Sequence, residues 1–420
     1  MKTSVYSGFY KLSVEDRLKE VVEFAGISEE DAKVIADPNA LDLDKADHMV
    51  ENVIGTYSLP MGVAINFLIN GKDYVIPMVT EEPSVIAAAS NAAKFARENG
   101  GIFTSNTGSI MIAQVQVINV ADIHYARNIV LENKEKIKEM CNAKDPVLVQ
   151  RGGGVEDVEA RVIDTLAGKM LIVHLIVNTL DAMGANAVNT MAESIAPYIE
   201  QITGGKVFLR ILSNLAAKRL ARARVVVKKE TLGGEAVVDA ILTAYAFAEA
   251  DPFRAATHNK GIMNGVSAAV MATGNDTRAI ESGAHAYAAI TGRYKPLTVW
   301  EKTKDGDLAG SIEIPMAVGL VGGATKIHPT AQVAVKMLGV KTAAELGEVF
   351  AALGLMQNLA AVKVLATEGV QRGHMSLHAR NVATVAGAKG EVLEKVVKRM
   401  IDEKNVRVEY AQELMKEYSK

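Results

Sequence analysis

The chain has 420 residues, 49% of them hydrophobic and 23% charged, with a formal net charge of −3. That length accommodates two or three domains, and the composition is that of an ordinary globular protein with aliphatic cores. The charge balance gives no reason to expect a nucleic-acid partner, and the single cysteine, Cys141, excludes an intrachain disulfide framework and a zinc site built on several cysteines.

Residues 1–50 read as helical, with capping-box-like starts at Ser13 to Asp16 and Ser28 to Asp31. Met61 to Phe67 and Tyr74 to Val79 read as strands joined at an Asn70-Gly71 turn. Glu81, Glu82 and Pro83 then open an alanine-rich helix that runs to about Arg97 and stops at Gly100-Gly101. No apolar core of a secretory signal is visible near the N-terminus, and the apolar run Met170 to Val177 is too short to span a bilayer. A cytoplasmic protein is expected, with no membrane partner.

The character changes near residue 108. Strands are expected at Ile110 to Val120, Val158 to Ile163, Met170 to Asn178 and Val207 to Leu212, with helices at Glu132 to Met140 and Asp181 to Ile202. This makes a compact α+β unit inserted in a larger domain. The division is 1–107 for the first part of the large domain, 108–217 for the insert, 218–368 for the second part and 369–420 for a polar helical tail. In the second part, helices are expected at Ala236 to Ala250, Gly265 to Met271, Glu281 to Ile290, Ala331 to Leu338 and Ala343 to Thr367, with sheet at Leu297 to Trp300 and Gly310 to Pro315. The tail reads as helices Glu391 to Glu403 and Val406 to Glu417.

Five segments carry chemistry. Lys260 lies among small and apolar residues, with Arg254, Asn259, Gly261 and Asn264 close by and Asp276 soon after. A lysine so placed suits an oxyanion or a proton transfer, and it equally suits a surface loop in which it pairs with an acid. Glu82 and Ser84 sit where a strand meets a helix. Glu82 is either a buried, protonated acid beside an anion-binding Ser84, or one of two acids that merely cap the helix. Asp181 to Asn186 joins an apolar strand to a long helix through small residues, which fits a phosphate at a helix N-terminus or a plain tight turn. Neither a G-x-G-x-x-G after a strand nor a Walker loop occurs, so a bound dinucleotide would not sit on a Rossmann turn. Gly319 to Lys326 allows a ligand near the main chain or close packing of two helices. His374 and His378 stand one helical turn apart, which could serve a metal, but no glutamate or further ligand accompanies them. No metal is expected, and His374 is a candidate catalytic histidine.

The bland readings cover the rest. Arg151 to Gly154 is a flexible turn, the basic run of Lys218, Arg219, Arg222, Arg224, Lys228 and Lys229 is a solvated face or else faces the phosphates of a nucleotide cofactor, and His174 and His285 are structural.

Seven segments together resemble the class II 3-hydroxy-3-methylglutaryl-CoA (HMG-CoA) reductases over nearly the whole chain. They are Glu51 to Gly55 (ENVIG), Glu81 to Ser84 (EEPS), Asp181 to Asn186 (DAMGAN), Ala256 to Gly265 (ATHNKGIMNG), Gly274 to Asp276 (GND), Val321 to Lys326 (VGGATK) and Gly373 to Asn381 (GHMSLHARN). The resemblance implies a four-electron reduction of HMG-CoA to mevalonate and CoA with two NAD(P)H. It implies Glu82 as acid, Lys260 as oxyanion stabiliser, Asp276 as the carboxylate that tunes them and His374 as proton donor to the leaving thiolate. Ser84, Arg254 and Asn264 would hold the substrate. Asp181, Met183, Gly184, Ala185, Asn186 and Asn214 would line the dinucleotide in a non-Rossmann small domain, and the tail would be a flap. A homodimer, or a higher oligomer of dimers, would form the site at its interface.

By the same resemblance, Asp145 falls where some class II members carry an acid that reads the adenosine ribose, which favours NADH, with NADPH as the alternative. Three competing readings remain: the same enzyme run in reverse for mevalonate catabolism, a non-catalytic CoA- or dinucleotide-binding regulator, and an unrelated acyltransferase built on Cys141.

Overall fold

The computed structural model describes residues 2–367 and 379–418. Three short helices lead in: α1 (Val14–Ala25), α2 (Glu29–Ala36) and α3 (Leu43–Met49). Ser13 and Ser28 cap the first two, each side chain accepting the backbone N–H of the aspartate three residues on, as the capping signature requires. The hairpin β1 (Met61–Ile69) and β2 (Lys72–Val79) turns at Asn70 and Gly71, both at positive φ, the geometry that fits the twist of the flanking strands. Helix α4 (Val85–Arg97) packs its alanine face on β1. Strand β3 (Phe103–Asn106) follows.

The next sheet draws all its strands from between Ile110 and Ser213. It is β4 (Ile110–Ile118), β5 (Gly154–Thr165), β6 (Gly168–Asn178) and β7 (Lys206–Ser213), in the order β5-β6-β4-β7 and antiparallel throughout. Helices α5 (Ile123–Glu132), α6 (Lys134–Asn142) and α8 (Ala185–Thr203) pack on it, with the short α7 (Pro146–Gln150) leading into β5. An all-antiparallel sheet cannot supply the parallel strand–helix–strand unit of a Rossmann site, in line with the missing fingerprint. The expected helix Glu132 to Met140 is α6, with the unexpected α5 before it, and the helix expected from Asp181 starts only at Ala185.

Strand β8 (Leu220–Val227) then pairs with β3 and with β10 (Leu308–Pro315), and β9 (Thr298–Lys302) completes a second antiparallel sheet, order β3-β8-β10-β9. Strand β8 corrects the reading of Lys218 to Lys229 as a mere solvated face. Arg222 and Arg224 point outward while Ala221, Ala223 and Val225 are buried, the period-2 pattern of a half-buried strand.

After α9 (Lys229–Leu232) come α10 (Glu235–Ala250), α11 (Pro252–Ala272), α12 (Thr277–Ala288), α13 (Gly323–Ile327), α14 (Pro329–Leu338) and α15 (Ala343–Thr367). Helix α15 is apolar on nearly every side, as a helix enclosed by protein must be. It is long and apolar enough to cross a membrane, but 72% of its apolar window is buried inside the protein. It packs on α4, α10, α11 and the β3-β8-β10-β9 sheet. The tail helices Gly390–Asp402 and Val408–Tyr418 close a separate small core around Val396, Met400, Ala411 and Leu414.

Candidate active site

Helix α11 organises the site. Asp251 caps it by accepting the Arg254 N–H at 2.9 Å, and Pro252 occupies its first turn. Arg254, Thr257, Lys260 and Asn264 are spaced three or four residues apart and share one face. The opposite face is buried. There His258 meets Thr298 Oγ1 at 2.6 Å, while Asn259 donates to the Lys295 carbonyl at 2.8 Å and accepts the Leu297 N–H at 2.9 Å. Glycines let α11 lie close on α15: a Cβ at Gly265 would come within 3.1 Å of Gln357, and one at Gly354 within 2.9 Å of Val266. The surface-loop reading of Lys260, and the short helix expected from Gly265, are therefore both corrected. One 21-residue helix carries the whole segment.

Glu82 arrives from the loop between β2 and α4. Helix α4 starts only at Val85 and has no acid in its first turn, so the reading of Glu81 and Glu82 as helix-capping acids falls. The Glu82 N–H donates to Thr80 Oγ1 at 3.1 Å. Ser84 ends the loop at φ 75°, a left-handed conformation that serine adopts rarely and that typically costs ~1–3 kcal/mol. Its hydroxyl is not used as a cap.

Across this junction Lys260 Nζ donates to Glu82 Oε2 at 2.7 Å, and Asn264 Nδ2 stands 3.5 Å from Oε1. The Glu82 side chain is 35% exposed and that of Lys260 60%, so the expected burial of Glu82 is not seen in the single chain. On the same helix face, Arg254 Nη1 is buried without a hydrogen-bond partner, and burial holds this guanidinium below its ordinary pKa. A carboxylate arriving there would satisfy it.

Asp276 stands apart from this pair. It caps α12 through Oδ1, which accepts the N–H groups of Arg278 at 2.9 Å and Ala279 at 3.2 Å and pairs with the Arg278 guanidinium. The Gly274-Asn275 turn before it is docked on the glycine-rich segment, with Asn275 Oδ1 accepting the Gly319 N–H at 2.7 Å and Thr325 Oγ1 donating to the Thr273 carbonyl at 3.0 Å. His374 and His378 lie outside the described residues. Among the described residues no cluster of three or more histidine, cysteine or acidic side chains could hold a metal.

The Asp181 to Asn186 loop lies between β6 and α8. Gly184 caps α8 at φ 97° with no side-chain cap and no acid in the first turn, leaving the N-terminal amides for another acceptor. A Cβ at Gly184 would strike Thr179 at 2.3 Å. Asp181 Oδ1 accepts the Ala343 N–H at 2.7 Å, so part of this carboxylate serves the start of α15. Gly319 has no room for a ligand: a Cβ there would sit 2.5 Å from the Met183 nitrogen. At Gly319 the segment packs loop on loop, while Gly322 and Gly323 face open space at the start of α13.

Asp145 caps α7 by accepting the Leu148 N–H at 2.9 Å. The turn that follows reaches the end of β6, where Gly154 pairs with Asn178. Asp145 thus belongs to the same end of the sheet as the loop into α8. Asn214 is exposed just after β7, its carbonyl close under Gly283 of α12. Cys141 is buried, with its thiol pushed up to about 12 by burial, which removes it as a nucleophile.

Residues 13–379 match the family model described as hydroxymethylglutaryl-coenzyme A reductase. The chain belongs to the HMG-CoA reductase family. An HMG-CoA reductase of Archaeoglobus fulgidus is 62% identical over 408 residues, covering 97% of this chain and 93% of the relative. A probable HMG-CoA reductase of Borreliella burgdorferi is 35% identical over 381 residues, covering 89% and 85%. Among solved structures, the HMG-CoA reductase of Streptococcus pneumoniae matches with a TM-score of 0.85 at 38% identity, over 99% of this chain and all of that one. Its class II form bound to NADPH in open conformations matches with a TM-score of 0.83 at 38% identity, over 86% of this chain and 100% of that one. The α+β architecture is thus that of a class II HMG-CoA reductase, and the chain is an oxidoreductase that works with a nicotinamide dinucleotide.

Sequence reasoning placed Arg219 only in a basic run and missed its burial beneath the Asp181 loop, and it missed the polar network of Asn358 with Thr298, Trp300 and His258 behind α11. A lone arginine in a basic run and an asparagine in an apolar helix carry no signal by themselves. Only the fold shows what they touch.

Proposed function

We propose that the chain reduces HMG-CoA to mevalonate and CoA on the α11 face, with Glu82, Lys260, Asp276 and His374 as the catalytic groups. The observation that carries this reading is the convergence of Glu82 with Lys260 and Asn264, beside an Arg254 whose guanidinium lacks a partner.

Two reduced dinucleotides, bound one after the other, would each supply one hydride. The residues do the rest. Lys260 presents a cation to the oxyanion that forms when the thioester carbonyl is reduced. Collapse of that adduct breaks the carbon–sulfur bond, and His374 gives the departing thiolate its proton. Reduction of the aldehyde leaves a second alkoxide, to which Glu82 delivers a proton. Arg254, Ser84 and Asn264 hold the substrate's carboxylate and hydroxyl. Asp276 tunes Glu82 and Lys260.

Asp276 is bonded to its own helix, with Oδ2 unshared among the described residues, which supports a site completed by a second copy of the chain. Fully exposed Ile54 and largely exposed Tyr57 and Phe253 give a homodimer apolar surface to bury. An oligomer of such dimers is compatible with this arrangement. The dinucleotide binds in the unit 108–217, between the parts 1–107 and 218–368. Asp181, Met183, Gly184, Ala185 and Asn186 at the α8 N-terminus and Asn214 lie along it, and residues 369–420 close over the site as a flap. NADH is preferred to NADPH, because a carboxylate at Asp145 accepts a ribose hydroxyl and repels a phosphate. The protein works in the cytoplasm, in the direction of mevalonate synthesis.

The test is to mix purified protein with HMG-CoA and either reduced dinucleotide and follow its absorbance. Oxidation of two equivalents per thioester consumed supports the reading. No oxidation of either cofactor refutes it.

A further inference from the structure

Arg219 is the one arginine among the described residues that is buried, at 4% exposure. A buried charge is costly unless its donors are used. Here both terminal nitrogens are used, and almost entirely on main-chain oxygens. Nη1 donates to Thr179 Oγ1 at 3.0 Å, to the Ala182 carbonyl at 3.0 Å and towards the Met183 carbonyl at 3.3 Å. Nη2 donates to the Val318 carbonyl. None of these acceptors is a carboxylate. The nearby charge that favours the guanidinium is Asp181, itself anchored on the Ala343 N–H.

These bonds join two segments far apart in the chain. The Leu320 N–H adds a bond to the Asp181 carbonyl at 2.8 Å, and Ala182 forms a parallel bridge with Val321. Gly319 is pressed on the Met183 nitrogen, and Gly184 has no room for a side chain against Thr179. The turn from Thr179 to Gly184 is thus fixed from below by one fork of donors. With the carbonyls of Ala182 and Met183 drawn to Arg219, the uncapped amides at the start of α8 are left for the ligand.

We propose that Arg219 is a positioning residue for the dinucleotide, acting through the carbonyls of Ala182, Met183 and Val318 to hold the loop into α8 in its receiving shape. The inference rests on the reading of Asp181 to Asn186 as dinucleotide-binding. Arg219 touches neither substrate nor cofactor. Lysine cannot replace it, because one ammonium cannot span acceptors on both segments as a planar fork does.

The experiment measures NADH and NADPH dissociation constants by fluorescence titration, and the KM for HMG-CoA, in Arg219→Lys, Thr179→Val and Asn186→Ala. Arg219→Lys is expected to weaken dinucleotide binding about tenfold or more while the HMG-CoA KM changes less than about twofold. Thr179→Val, which removes the bond from Arg219 together with the hydroxyl's own bonds to the Ala182 and Ser109 carbonyls, moves the same constant in the same direction by a few-fold. If Arg219→Lys does not fold, Thr179→Val decides. Unchanged dinucleotide binding in the folded variants, or equal losses for dinucleotide and HMG-CoA, overturns the inference. Asn186→Ala separates the two ideas. If it weakens dinucleotide binding while the Arg219 and Thr179 variants do not, the loop reading stands and the role of Arg219 falls. If none of the three does, the loop reading falls and the inference falls with it.

Discussion

Lys260 and Glu82 are 178 residues apart in the chain and meet at 2.7 Å. One stands on the exposed face of a helix whose other face is locked in the core. The other stands in a loop that ends in a left-handed serine. A pair this exposed contributes at most ~1 kcal/mol to stability. Its placement is better explained by chemistry than by folding.

Glu82→Gln keeps the shape of the side chain and removes its proton chemistry. We expect kcat to fall by at least ~100-fold, with an unfolding midpoint close to that of the parent protein. Steady-state kinetics beside a urea titration check this. Unchanged kcat would remove Glu82 from the mechanism.

His258 is 2% exposed, and burial, with Arg254 nearby, pushes its pKa from 6.5 down to about 3. The folded protein keeps it neutral while the unfolded chain protonates it below about 6.5. The unfolded state therefore binds more protons between those values, and stability falls as pH falls through that window. This one group adds a slope of up to ~1.4 kcal/mol per pH unit. Urea midpoints of the parent and of His258→Gln, taken from pH 7 to pH 4, should diverge in slope, with the variant flatter. Parallel curves would contradict the assignment.

Asp145 tests cofactor choice. Asp145→Ala should lose the helix cap, at a cost of about 1 kcal/mol, and raise kcat/KM with NADPH relative to NADH. An unchanged ratio would mean that Asp145 caps α7 and reads nothing.

His374→Ala should impair reduction of the thioester far more than reduction of free mevaldehyde, because only the thioester releases a thiolate. Rates on both substrates decide the matter, and equal losses would reassign His374.

The sequence made the local chemistry legible. Ser13 and Ser28 cap and Asn70-Gly71 turns as their local patterns require, and the segments around Glu82, Asp181 and Lys260 stand out in the sequence alone. What it hid was tertiary. Gly265 looks like a helix breaker along the chain, yet α11 needs a small residue there because Gln357 of α15 lies against it. The arginines of β8 look like a charged face until the alanines between them are seen to be buried. Asp181 looks like a ligand residue, yet one of its oxygens serves a helix that starts 162 residues later. The meeting of Glu82 with Lys260 is invisible to any local reading.

The most direct test of the account is the turnover of Lys260→Ala with HMG-CoA and saturating NADH or NADPH. Lys260 is exposed and its loss should leave the fold intact, as circular dichroism and the unfolding midpoint would show. Loss of the waiting cation should lower kcat by ~100-fold or more. Turnover equal to that of the parent protein would contradict the proposed chemistry at its centre.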